Sequence, residues 1–286
     1  MDLLVINVLN GVSFGMILFL FAMGLSITLG VMGVLNLTHG ALFMLGGFIG
    51  VTVVRAGGSF WLAALAGGVV AGLIGLIIEG VFLRRLYKQL DEQVVLTLGL
   101  VYIIGNLVLW IYGGRIYSVP PPAFLIHTVV VGDFRFPLYR LTLIGIGIVA
   151  FVILWWLIEK TRFGAIIRAG MDDRKMTTGL GLNYGFTASA VFTVGAFAGG
   201  MAGLLATPVI GVVFTMSLDI LLYALIVVVV GGSGSIQGTL LGALIIGVMD
   251  AFGKAYLQDF ATFTMYIVLI IMLLIKPTGI LGRKQT

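Results

Sequence analysis

Nine apolar runs succeed one another along the chain, at 4–29, 37–54, 60–83, 94–112, 141–158, 186–207, 218–230, 239–252 and 263–275, and they restrict its fold more than any other feature. A hydrocarbon core of about 30 Å takes roughly 20 helical residues to cross. A backbone inside it must satisfy its own polar groups, which leaves helices as the spanning form for runs of this kind. The chain is therefore expected to be an all-α polytopic membrane protein of about 8–10 transmembrane helices, forming one transmembrane domain over residues 1–286. The seventh and eighth runs are short and flank Gly231-Gly232-Ser233-Gly234-Ser235, so 218–238 is where a broken or re-entrant segment is expected. Composition agrees: 60% hydrophobic and 9% charged residues cannot cover a water-soluble domain. The 42 glycines allow close helix approach in lipid. With no cysteine and two histidines, thiol chemistry is excluded and no metal site is expected.

Basic residues orient the bundle. Placing the turns after the third, fifth and ninth runs in the cytoplasm gathers Arg84, Arg85, Lys88, Lys160, Arg162, Arg168, Arg174, Lys175, Lys276, Arg283 and Lys284 on that side. Arg55, Arg115, Arg135, Arg140 and Lys254 then face outward, as does the amino terminus. No Lys or Arg precedes Arg55, so the first run reads as a retained anchor and not as a cleaved signal. The net charge of +5 follows from this asymmetry, and no basic tract with interleaved aromatics points to nucleic acid. The long external loop contains Pro120-Pro121-Pro122, a stiff element suited to capping the outer mouth or meeting an external partner.

Charges scarce elsewhere crowd into the polar interruption 159–183. Phe163, Ile166, Ile167 and Met171 recur there at helical spacing, with Arg162, Arg168 and Asp172 turned elsewhere. The pattern predicts a short amphipathic helix on the membrane surface, presented as a docking site. The alternative is an ordinary solvated loop.

Two other segments break apolar helices with glycine and polar side chains. Asn36, Thr38, His39 and Gly40 open the second run, and Ser233, Ser235 and Gln237 precede the eighth. Their similar layout points to two internally related halves. They line a pathway or gate, or they merely cap helix starts, as Asn, Ser and Thr do anywhere. Gln93 and Thr97 are further pathway candidates, against the alternative that they bond neighbouring helices. Glu79 with Arg84, and Asp250 with Lys254, read as structural pairs, which leaves no evident carboxylate relay for proton coupling.

Catalysis finds little support. Gly231-Gly232-Ser233-Gly234 fits the serine motif of intramembrane rhomboid proteases, but no histidine follows His127 to serve as base. No stretch has the spacing of a nucleotide-binding phosphate loop; Gly247 to Lys254 comes nearest and fails. The chain is not expected to hydrolyse ATP.

Three ordered motifs carry a resemblance. Thr161, Gly164, Arg168, Ala169, Asp172, Asp173 and Gly181-Leu182-Asn183 resemble the cytoplasmic loop of the LivH/LivM-type permeases, the branched-chain amino acid branch of ABC importer membrane subunits. Residues 33–40 and 231–238 look like that family's early and late glycine motifs, and Asp173-Arg174-Lys175-Met176 brings the chain nearer the LivH branch. Thr177-Thr178 and Leu182 depart from the expected Ala-Ser and Ile. The resemblance implies an ABC importer permease fold in the bacterial inner membrane. It also implies a second, LivM-like permease, two ATPase subunits that hold ATP and Mg while this chain binds no cofactor, and a periplasmic substrate-binding protein. In such importers a surface helix fits a groove on the ATPase. Phe163, Ile166, Ile167 and Met171 would make the apolar contact, and Arg162, Arg168, Asp172 and Asp173 its polar rim. Cargo would be branched-chain or other hydrophobic amino acids, with urea, short amides and aromatic acids as alternatives. A self-sufficient channel or ion-coupled carrier is the reading from a different class.

Overall fold

The computed structural model describes residues 2–87, 89–131, 134–172 and 174–282. Its helices are α1 (Asp2–Met32), α2 (Thr38–Arg55), α3 (Phe60–Ile77), α4 (Leu90–Tyr112), α5 (Leu138–Lys160), α6 (Arg162–Asp172) and α7 (Arg174–Gly179). Then follow α8 (Tyr184–Ile210), α9 (Met216–Gly231), α10 (Ile236–Tyr256) and α11 (Ala261–Ile275). Seven helices among the described residues are long and apolar enough to cross a membrane, and α9 and α11 are shorter apolar helices. The multi-pass helical architecture is therefore present. The eighth run corrects one expectation: α10 has 21 residues and is full length, while α9 has 16. Its glycines do not shorten α10, because they seat it against α1 and α9 in place of interrupting it.

Small residues set the centre of the bundle. A Cβ on Gly24 of α1 would stand 2.6 Å from the Cα of Gly195 in α8, and one on Gly46 of α2 2.2 Å from the carbonyl oxygen of Gly200 in α8. On α10, a Cβ at Gly247 would fall 2.4 Å from the oxygen of Gly11 in α1. Backbones this close gain dispersion contact that lipid cannot match, the main drive to helix association in a bilayer. Phe19, Phe21, Phe43 and Phe192 fill the space around these crossings and are fully buried. At the periphery, α4, α5 and α11 expose Val95, Ile103 and Trp110, Ile148 and Ile153, and Ile270 and Leu274, as hydrocarbon-facing or partner-facing helices do.

The broken segment lies earlier than expected. Beyond Met32 the chain leaves α1, turns at Gly33 (φ +62°) and runs back alongside it, so that the His39 ring reaches the Phe21 carbonyl at 2.9 Å. Phe21 is about 16 Å from the inner end of α1 at 1.5 Å per residue, so α2 begins inside the bundle and not at its edge. The 231–238 segment shares the local device, with positive φ at Gly232 and Gly234 before α10.

At the end of the bundle that the placement of basic residues assigns to the outside, β1 (Thr128–Val131) and β2 (Phe134–Pro137) form an antiparallel hairpin that the all-helical expectation does not include. The preceding loop is pinned to the bundle by a Tyr117–Val212 bridge and by Ser118 Oγ donating to the Thr207 carbonyl at 3.0 Å. The Arg55 guanidinium stacks on Tyr117 at 4.4 Å. At the inner end, Ile280 N–H donates to the Val230 carbonyl, Gly234 N–H to the Ser26 carbonyl, and Arg84 to the Gly185 carbonyl. Arg84 and Arg85, Lys160, Arg162 and Arg168, and Lys276 thus stand where α3, α5 and α11 finish; Lys88, Arg283 and Lys284 lie outside the described residues.

Candidate functional site

The polar interruption folds as an elbow between α5 and α8. Thr161 starts α6 as its cap: its hydroxyl accepts from Gly164 N–H at 3.2 Å and donates to the Leu157 carbonyl. Gly164 must be glycine, because a Cβ there would lie 1.9 Å from the Ile158 carbonyl oxygen. Arg168 reaches back to that same Ile158 carbonyl and lies 3.6 Å from Glu159 Oε2, which caps the C-terminal end of α5 with positive charge. Gly170 fits under the Tyr184 ring at the start of α8, with a Cβ placed 2.2 Å from the ring. Thr161, Gly164 and Arg168, read from sequence as a docking motif, are therefore the fastenings of a sharp corner.

The expected amphipathic helix is α6, but its apolar side points the other way. Ile167 is 1% exposed, packed into the chain's own core. Phe163 lines a narrow apolar crevice with Met23 and Ile27 of α1, Leu154 of α5 and Val191 of α8. An amphipathic helix beside a bundle buries its oily stripe against the nearest apolar surface, and here its own helices supply one. Ile167 is thus corrected from an outward contact to an inward anchor. Phe163 and Ile166 are half-buried, as is Ala169. The outward surface is formed by exposed Arg162 and Ala165, and beyond α6 by Met176 (67% exposed) and Leu180 (71%), which sequence reasoning did not select. Met171 and Asp172 fall within α6, and Asp173 lies outside the described residues.

The pathway candidates divide. Asn36 Oδ1 accepts from the Thr38 amide at 3.1 Å and from the Thr38 hydroxyl, tying down the start of α2. His39 stacks on Phe21 with centroids 4.9 Å apart, and because a carbonyl only accepts, its Nε2 carries the proton donated to the Phe21 carbonyl. Gly40 admits the Ser217 carbonyl, 2.0 Å from where a Cβ would stand. Gln93 donates to the Leu86 carbonyl at 2.8 Å, and Thr97 to the Gln93 carbonyl at 2.7 Å. All these residues are buried, so they offer no surface to a solute in this arrangement. Gln93 Oε1 has no hydrogen-bond partner among the described residues. Ser235 caps α10 by accepting from Gly238 N–H at 3.0 Å, while Ser233 and Gln237 are exposed at the inner end.

Both charge pairs form, with 3.5 Å between Arg84 and Glu79 and 2.6 Å between Lys254 and Asp250. Sequence spacing showed those partners but not the others, which come from different helices or turns. Tyr223 donates to Asp250 at 2.7 Å, and Ser189 donates to Glu79 at 2.6 Å. No three His, Cys, Asp or Glu side chains come together among the described residues.

A family model described as branched-chain amino acid transport system / permease component matches residues 7–276. The chain is 31% identical to the high-affinity branched-chain amino acid transport system permease protein LivH of Salmonella typhimurium, across 96% of this chain and 94% of that one. To LivH of Escherichia coli K12 it is 31% identical, with the same coverage. To BraD of Pseudomonas aeruginosa, also a branched-chain amino acid transport system permease, it is 30% identical over 98% of this chain and 96% of the relative. No solved structure gives a significant match.

Proposed function

The chain belongs to the family of branched-chain amino acid transport system permease components, and from that membership we propose that it is the membrane-spanning subunit of an importer driven by separate ATPases. It carries branched-chain or other hydrophobic amino acids inward across the bacterial cytoplasmic membrane. A binding protein outside delivers the cargo, a second related permease completes the pathway, and two ATPases bind ATP and Mg at the inner face.

The observation that carries this reading is the elbow. A loop with no load to bear has no need of a capped helix, a glycine-tight corner and an arginine clamp fixing it to α5. Such fastenings make a displacement of the elbow a displacement of α5 and α8. Its outward side, with Arg162, Met176 and Leu180, has the mixture of charge and large apolar surface that suits a protein groove. Closure of the ATPases on ATP then rocks the helices and switches access between the two sides.

The test is uptake of labelled leucine into liposomes. Uptake is expected only when the second permease, both ATPases, the binding protein and ATP are all present. Uptake by the purified chain alone would overturn the proposal in favour of a self-sufficient carrier.

A further inference from the structure

At its inner end α3 departs from regular helical geometry: Ile78–Phe82 make a π-helical turn, and Leu83–Leu86 a 3₁₀ turn. Single π turns are rare in helices and recur at functional sites. This one holds Glu79, which is 0% exposed, near the end of a candidate membrane span whose other charges, Arg84 and Arg85, follow in its last turn. Its carboxylate is surrounded by donors. Tyr87 Oη donates to Oε1, Ser189 Oγ donates to Oε2 at 2.6 Å, and Arg84 Nε stands 3.5 Å from Oε1. Arg84 also donates to Ser189 Oγ at 2.7 Å and to the Gly185 carbonyl at 3.5 Å.

Adhesion between α3 and α8 does not need this arrangement. Their glycine faces already meet closely, with a Cβ on Gly200 only 2.3 Å from the Ala71 methyl and one on Gly75 2.6 Å from that of Ala196. An ion pair whose arginine is half in solvent is moreover weak as a source of stability, because water screens its attraction while the buried carboxylate still bears its desolvation. What it adds is direction, since charge-assisted hydrogen bonds fix orientation where an apolar contact can slide. Gly185 and Ser189 lie in the first turns of α8, immediately beyond Tyr184, the residue against which Gly170 of the elbow is seated.

We infer that Glu79 is a positioning residue of the transport cycle, the centre of a joint with Ser189 and Arg84 that makes the inner ends of α3 and α8 move as one body when the elbow is pushed. This deepens the importer reading and rests on it.

The absence of cysteine makes the joint directly testable. In the complete importer in liposomes, Glu79→Gln is expected to lower cargo moved per ATP hydrolysed about tenfold, while the complex still assembles and hydrolyses ATP. Ser189→Ala should shift the ratio in the same direction. A second variant, Arg84→Cys with Ser189→Cys, removes the joint without touching Glu79; it should be uncoupled when reduced and recover coupling once a short thiol-bridging reagent ties the two positions together. A purely structural role predicts no such recovery. An unchanged ratio in Glu79→Gln, or a tether that stops uptake in an assembled complex, overturns the joint alone. Absence of ATP-driven uptake by the unaltered complex overturns the importer reading and the joint with it.

Discussion

The elbow and the early glycine-broken motif are both polar interruptions in an apolar chain, yet they turn their polarity in opposite directions, while 231–238 is mixed, with Ser233 and Gln237 exposed. In 33–40 the polar groups point inward and bond one another or the backbone: Asn36 to Thr38, and His39 to Phe21. In 231–238, Ser235 caps α10, and Gly232 makes room for the backbone of Gly282. In the elbow the oily stripe goes inward, through Ile167, and Arg162, Met176 and Leu180 are left outside. A polar group in a membrane protein shows that something must satisfy it; whether backbone, partner or solute does so depends on what packs beside it.

That contrast can be broken by substitution, and the largest effect is expected in the motif. Gly40→Val would drive a side chain into the Ser217 carbonyl, an overpacking of about 3 kcal/mol or more. Size-exclusion chromatography of the detergent extract should show loss of monodisperse protein. In the elbow, Gly179→Ala meets nothing within 4 Å and should give a normal profile. Equal tolerance at the two positions would remove the distinction.

Replacing His39 by leucine leaves the hydrogen bond to the Phe21 carbonyl unmade, at a cost of about 1–3 kcal/mol. The melting temperature should fall while uptake per folded molecule holds. The reverse outcome, normal melting with lost uptake, would return His39 to the pathway. Thr161→Ala removes the cap of α6 and should cost about 1 kcal/mol. Because the cap sits in the corner, uptake should fall more than stability does. Smallest of all, Ser233→Ala changes an exposed hydroxyl and should stay within about 0.5 kcal/mol with normal uptake. Lost uptake in that folded variant would return Ser233 to the pathway.

Most of the architecture was legible because the membrane demands runs of about 20 apolar residues, and few soluble patterns imitate them. Legibility failed where two surfaces compete for one pattern. The spacing of Phe163, Ile166 and Ile167 specifies an oily face equally well for a partner's groove or for the chain's own helices, and only the fold shows that α1, α5 and α8 stand within reach. The length of α10 was misjudged for a related reason: glycine counts against a helix in water, but Gly238 and Gly242 are where α9 is admitted. The hairpin had a signal in the β-branched run Thr128-Val129-Val130-Val131, which the apolar ruler passed over. The π turn at Glu79 had none, since its residues also suit an α-helix and the partner Ser189 comes from a distant part of the chain.

The central claim is that the outward side of the elbow is gripped by separate ATPases, and capture of those subunits tests it most directly. Met176→Asp with Leu180→Asp alters two exposed side chains, so the permease should remain folded and monodisperse while the quantity of co-purified ATPase falls more than about tenfold. Undiminished capture by that folded variant would contradict the account.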